Sequence, residues 1–269
     1  MKNDIRLIAL DLDGTLLNSE KEISRENFEA VQAARKKGVH VVLTTGRPLI
    51  AIQPFLKTLD MLDFEDFSIT FNGGLVQRNT GEIVSKKTFS YDELTKIKQL
   101  TDELGIPCDI LSEEKVFVTK SVMPSCYHTI NKMLTYLDMD FSEVPREGVF
   151  NKIVSCTDKE LLDAALAKIP ADFREGFELF KTQAKLLEFM PKGINKAYGL
   201  TQLTNVLGMT AENVMAMGDE SNDLSMLAWA KYGVAMANGT DEVKRHAKII
   251  SDLTNDEHAV AAMIEKYVL

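Results

Sequence analysis

The sequence predicts an α/β chain: a doubly wound parallel sheet interrupted by an inserted α+β segment. Three observations predict it. Ile5 to Leu10 is a mostly apolar run that stops abruptly at Asp11-Leu12-Asp13-Gly14, as a strand buried on both faces of a parallel sheet stops at a turn. Strand-like and helix-like stretches then alternate, and the strand-like ones end in polar or glycine residues. Between about Ile83 and Met190 this rhythm gives way to adjoining strand pairs, and it resumes afterwards.

Taken in order, Ser24 is placed to cap a helix, with Ile23 and Phe28 at hydrophobic-staple spacing. Phe28, Val31 and Ala34 form its apolar stripe, and Gly38 stops it. Val39 to Leu43 is a second strand, ending in Thr44-Thr45-Gly46-Arg47-Pro48. Strand, helix, strand with polar ends is a βαβ unit, so both loops lie on one sheet edge. Pro48 suits the first turn of a helix reaching Leu59. A third strand, Phe67 to Phe71, ends in Asn72-Gly73-Gly74, and a hairpin turns through Arg78 to Glu82.

Within the insert, helices are expected at Tyr91 to Leu104, Ser125 to Leu137 and from Asp158 to Lys168. Strands are expected at Cys108 to Leu111, Val116 to Thr119, Val149 to Cys156, Phe177 to Lys181 and Lys185 to Met190, forming an antiparallel sheet. Asn195 to Leu207 then reads as a helix, Val214 to Met217 as a buried strand ending in Gly218-Asp219-Glu220-Ser221-Asn222-Asp223, and Asn222 to Ala230 as a helix. A strand at Tyr232 to Ala235, a helix after Thr240, Ile249-Ile250 and a helix from Asp256 to Tyr267 close the chain. The expected division is residues 1–82 and 191–269 for the α/β core and 83–190 for the insert.

The 269 residues are 45% hydrophobic and 26% charged, an ordinary globular balance. No apolar run approaches the ~20 residues of a membrane span, and Met1-Lys2-Asn3-Asp4 leads into the first strand without a signal peptide, so a cytoplasmic location is expected and no membrane partner. Cys108, Cys126 and Cys156 are odd in number and widely spaced, suggesting neither a disulfide framework nor a zinc site. A net charge of -9 disfavours nucleic acid as a partner. An anionic substrate would need a locally positive pocket.

Alternate residues of an extended segment point the same way, so Asp11 and Asp13 can face one small volume, and Gly14 lets the chain turn there. Two like charges so close call for a cation or a shared proton. Asp11-x-Asp13, Thr45-Gly46-Arg47, Lys196 at a helix start and Asp219-x-x-Asn222-Asp223 fall on one sheet edge. This set closely resembles the haloacid dehalogenase superfamily of phosphohydrolases, in particular its Cof-type sugar-phosphate phosphatases, over essentially the whole chain.

The resemblance implies a Rossmann-like core with a large α/β cap as the insert, a Mg²⁺ cofactor and a small phosphorylated metabolite as substrate, with no protein partner expected. It implies Asp11 as nucleophile and Asp13 as general acid and base. Thr45, Gly46 and Lys196 would bind phosphate, and Asn222 would join them. Metal would be held by Asp11, Asp219 and the backbone carbonyl of Asp13, with Asp223, Arg47 and Asn72 in support. Two positions depart from the family pattern: Ala197 follows Lys196 in place of Gly, and Glu257-His258-Ala259-Val260 stands where Glu-Asp-Gly-Val is usual.

These roles are chemically coherent. Phosphoryl transfer needs an in-line nucleophile, neutralised phosphate oxygens and a proton for the leaving alkoxide. A carboxylate approaching a phosphate dianion is repelled unless a hard cation intervenes. A phosphomutase on the same scaffold is the near alternative, and a receiver-like module carrying phospho-Asp is one from another class. Arg47 is expected to pair with an acidic neighbour in preference to phosphate, and Asn72 to serve its turn, the Asp11 loop or a hinge. Lys152, in an otherwise apolar strand, either reaches substrate or sits on a solvated face.

Overall fold

The computed structural model describes residues 4–269, so Met1 to Asn3 and the expected direct lead into the first strand lie outside it. The chain forms two compact units, one running up to Lys86 and again from Asn195 to Leu269, the other Lys87–Ile194. The first comprises β1 (Leu7–Leu10), α1 (Arg25–Lys36), β2 (His40–Thr44), α2 (Leu49–Thr58), β3 (Phe67–Thr70), β4 (Leu75–Arg78) and β5 (Ile83–Lys86) before the insert. The insert holds α3 (Tyr91–Leu104), β6 (Cys108–Ser112), β7 (Lys115–Thr119), α4 (Tyr127–Ile130), β8 (Thr135–Met139), β9 (Lys152–Cys156), α5 (Lys159–Lys168), α6 (Ala171–Gly176), β10 (Phe177–Gln183) and β11 (Leu186–Pro191). The first unit ends with α7 (Lys196–Leu207), β12 (Val214–Gly218), α8 (Leu224–Trp229), β13 (Tyr232–Ala235), α9 (Asp241–His246), β14 (Ile249–Ile250) and α10 (Ala259–Tyr267).

The first unit is built on an eight-stranded sheet in the order β14-β13-β12-β1-β2-β3-β4-β5. β1 pairs in parallel with β2 on one side and β12 on the other, so the winding reverses at β1. Open α/β sheets place ligands at the carboxyl ends of strands beside such a reversal. Alternation along the strands splits the core into two layers. Ile8, Leu10, Val41, Leu43, Met215 and Met217 pack under α1, α2 and α10, while Leu7, Ala9, Val42, Val214 and Ala216 pack under α7, α8 and α9.

Local signals govern the helix ends. Ser24 accepts the Asn27 amide at 3.2 Å, as its position before the apolar stripe predicts. Asn195 accepts the Tyr198 amide at 2.9 Å, which starts α7 at Lys196. At the departure near the C-terminus, His258 adopts φ 61° and α10 begins at Ala259. β5 pairs with β4, so the first unit extends to Lys86 and not to residue 82, and the second ends at Ile194 and not at residue 190.

The second unit carries a six-stranded sheet, β10-β11-β9-β6-β7-β8, antiparallel except where β7 and β8 run parallel. Its helix-covered face buries Ile110, Phe117, Ile153, Leu187 and Phe189. The helix expected over Ser125 to Leu137 is one turn only, Tyr127–Ile130, and the residues from Thr135 form β8. That stretch has no apolar stripe to bury as a helix, and β7 offers an unpaired edge on which Tyr136 and Leu137 are good strand residues. Lys152 is neither solvated nor open to a ligand: it is 2% exposed and lies 2.6 Å from the equally buried Glu188 on β11. No helix among the described residues is long and apolar enough to cross a membrane.

Candidate active site

Each strand of the central pair delivers a carboxylate at its carboxyl end. The Asp11 amide donates to the Met217 carbonyl at 3.1 Å, so the β1–β12 ladder runs one step past β1 and fixes the backbone that carries Asp11. β12 ends at Gly218 and is followed by Asp219 and, one turn later, Asp223. Oxygens of Asp11, Asp219 and Asp223 lie within 4.8 Å of one another, and all three residues are buried. Among the described residues no other group of three such side chains meets that spacing.

Lys196, at the start of α7, is fully buried between two of them. Its Nζ donates to Asp11 Oδ1 at 2.5 Å and to Asp223 Oδ1 at 2.5 Å. Burial would lower the Lys196 pKa, but Asp11 and Asp223 override it and hold the ammonium well above its usual range. Asp223 Oδ2 accepts the amides of Asp219 and Glu220 at 2.9 and 3.0 Å. Its oxygens are thus committed to orienting Lys196 and the Asp219 loop.

Three carboxylates against one ammonium leave excess negative charge. Burial, augmented by Asp223 and Asp219 and opposed by Lys196, pushes Asp11 well above the carboxylate range. Burial and then Asp223 push Asp219 up to about 7, against a hydrogen bond from Thr15 Oγ1 at 2.7 Å. The hard oxygen donors of Asp11 and Asp219, short of positive charge, fit a divalent cation.

Asp13 lies apart from this cluster. Arg47 Nε donates to its Oδ2 at 2.9 Å and Arg47 Nη2 to its Oδ1 at 2.6 Å, while Lys21 Nζ reaches Oδ1 at 2.9 Å. Burial favours the acid form, but the two cations outweigh it and hold the carboxyl below the usual range. The expected pairing of Arg47 with an acid is therefore with Asp13. The Asp13 side chain is thus engaged in ion pairs with Arg47 and Lys21.

Thr45 is buried, and its Oγ1 accepts the Arg47 amide at 3.2 Å. Asn72 adopts φ 54°, donates its amide to the Thr45 carbonyl at 3.0 Å and accepts from Asn222 Nδ2 at 3.1 Å through Oδ1. The Asn72 side chain also lies against Gly46, where an added Cβ would come within 3.0 Å of its Oδ1. Thr45, Gly46, Asn72 and Asn222 are thus one assembly. Sequence reasoning gave Gly14 the turn after Asp13, where it adopts φ 84°, and assigned no role to Thr15 or Lys21. Thr15 belongs to the Asp-x-Asp-Gly-Thr run itself, whereas Lys21 carried no sequence signal.

A family model described as haloacid dehalogenase-like hydrolase matches residues 8–264, and the chain belongs to that family, in its Cof-type branch. The 5-amino-6-(5-phospho-D-ribitylamino)uracil phosphatase YcsE of Bacillus subtilis (strain 168) is 34% identical over 267 residues, 99% of this chain and 97% of that protein. The crystal structure of a haloacid dehalogenase-like hydrolase from Bacteroides thetaiotaomicron superposes with a TM-score of 0.83 at 31% identity, covering 97% of this chain and 99% of the other. A haloacid dehalogenase-like hydrolase from B. subtilis gives 0.82 at 26% identity, covering 98% and 100%. The chain is a phosphatase, a phosphoric monoester hydrolase.

Proposed function

We propose that this phosphatase is Mg²⁺-dependent and hydrolyses small phosphorylated metabolites, chiefly sugar phosphates, through an aspartyl-phosphate on Asp11. The observation that supports it is the buried set of Asp11, Lys196, Asp219 and Asp223 at the winding reversal of the sheet. Asp11 attacks phosphorus, and the bond to the leaving alkoxide breaks, which splits one difficult displacement into two easier ones. Lys196 supplies fixed positive charge to the phosphoryl oxygens, with the Thr45 hydroxyl and the Gly46 amide as donors. Asp13 protonates the alkoxide, then takes a proton from the water that hydrolyses the acyl phosphate. Asp11, Asp219 and the Asp13 carbonyl would hold Mg²⁺, which when bound relieves the repulsion between carboxylate and phosphate.

The sugar-phosphate class is supported by the relative whose name gives a phosphorylated ribityl chain as its substrate. The inserted unit is assigned the choice of substrate. The test is phosphate release from a panel of sugar, polyol and nucleoside phosphates, with Mg²⁺ and then with EDTA. Release from a sugar phosphate, abolished by EDTA and restored by Mg²⁺, is expected. Metal-independent release would remove the cation from the site. Isomerisation without free phosphate would make the protein a mutase, and a stable phospho-Asp would make it a receiver-like module.

A further inference from the structure

Of the three cysteines, Cys108 is buried in the helix-covered core of the second unit, but the other two meet. Cys126, half-buried, precedes α4, and Cys156 ends β9. The Cys126 amide donates to the Cys156 carbonyl at 3.0 Å, which holds the two backbones side by side. The sulfurs stand 2.7 Å apart, closer than two non-bonded sulfurs rest. Adjacent backbones whose thiols point at one another meet the first requirement for a disulfide, that the two side chains converge. We propose that Cys126 and Cys156 form a reversible disulfide that ties the segment between β7 and β8 to β9.

That segment has reason to be tied. It is held by one helical turn and carries exposed Val122, Ile130 and Met133. It also places Ser125 as hydrogen-bond donor to the buried Asp109 carboxylate, and Tyr127 beside Lys152 and Glu188. A cross-link between positions thirty apart in sequence restricts its opening.

The oxidant is a small-molecule disulfide such as oxidised glutathione. Cys126, the more accessible thiol, loses its proton and attacks one sulfur of the oxidant, breaking that S–S bond and releasing one thiol. Cys156, the more buried thiol and adjacent to Cys126, is the resolving partner. It loses its proton and attacks Cys126 Sγ, releasing the second thiol. Two protein thiols are oxidised, one S–S bond is reduced, and both protons pass to the released thiols.

The full-length protein is equilibrated in oxidised or reduced glutathione, unfolded in iodoacetamide and weighed intact. Three alkylated cysteines are expected from the reduced sample, and one, mapping to Cys108, from the oxidised monomer. The oxidised form should melt roughly 5 °C higher, reversibly with dithiothreitol, and resist proteolysis between Lys120 and Lys132. Cys126→Ser and Cys156→Ser should each lose these effects, and Cys108→Ser should keep them. Three alkylated cysteines after oxidation, glutathione retained on Cys126, or a bridge to Cys108 or to another chain would each overturn the proposal.

Discussion

Arg47 grips both carboxylate oxygens of Asp13, Nε to Oδ2 at 2.9 Å and Nη2 to Oδ1 at 2.6 Å. The contact favours the ionised carboxyl, which suits a base and opposes an acid. A residue proposed to be both is thereby tuned towards the second half of the cycle. Arg47→Ala should raise the Asp13 carboxyl, since the close guanidinium is what favours its ionised form. The alkaline limb of kcat against pH for a sugar phosphate should move upward, with little change for p-nitrophenyl phosphate, whose leaving group needs no proton. An unmoved limb would separate Arg47 from proton transfer at Asp13.

Asp11→Asn tests the nucleophile without removing much from the fold. The Asp11 carboxyl is already pushed up by burial, and Lys196 keeps Asp223 as a partner. Stability in urea should stay within about 1 kcal/mol of wild type, while phosphate release falls to background. Wild-type-like turnover by the folded variant would exclude attack by Asp11.

Lys196→Met is the opposite case. It leaves Asp11 and Asp223 buried with no cation, and breaking a buried pair from one side costs about 3–5 kcal/mol. Urea denaturation at pH 8 should show that loss together with loss of activity. At pH 5 the loss should shrink, because the Asp11 carboxyl, pushed up by burial, can take up a proton. Adding Asp11→Asn should recover part of the stability and none of the turnover. A loss independent of pH would mean that packing, not charge, is what Lys196 contributes.

Gly14 adopts φ 84°, and a Cβ there would overlap the Asp219 carboxylate. Gly14→Ala therefore displaces a group proposed to hold the cation, in a backbone conformation that only glycine adopts readily. The Mg²⁺ concentration for half-maximal activity should rise roughly 10–100-fold, as it does when the support of a metal ligand is disturbed. Mg²⁺ titration of activity reads this directly. Unchanged Mg²⁺ dependence would place the cation elsewhere.

What was legible in the sequence was local or carried by a dense motif. The cap at Ser24, the helix start at Asn195-Lys196 and the strand ends at Asp11 and Asp219 each follow from a few neighbouring residues. What was not legible depends on pairing across long stretches. Thr135 to Met139 is a strand because β7 lies beside it, and Lys152 is buried because Glu188 reaches it from the neighbouring strand β11. Lys21 reaches Asp13 only once the loop after β1 has turned back. Cys126 and Cys156 are thirty positions apart, and only the packing of α4 on β9 joins them.

Asp109 on β6 permits a test of stability against pH in the second unit. It is 1% exposed, its Oδ1 has no hydrogen-bond partner, and its other oxygen accepts from Ser125. Burial, reinforced by Asp138 and opposed by the Ser125 hydrogen bond, pushes its carboxyl up to about 7. In the unfolded chain the same group titrates near ~3.9. Between these values the folded state holds the proton that the unfolded state has lost, so stability is full below about pH 4, falls as pH rises towards about 7, and levels off above. Asp109→Asn removes this titration and keeps an acceptor for Ser125. The variant should therefore gain stability relative to wild type as pH rises from 4.5 to 8, by on the order of 2 kcal/mol at the upper end. Paired melts across that range isolate the Asp109 contribution, because every other group titrates in both proteins. A stability difference that does not change with pH would mean that Asp109 is ionised throughout, and that its unpartnered oxygen is matched by a donor that reaches it in solution.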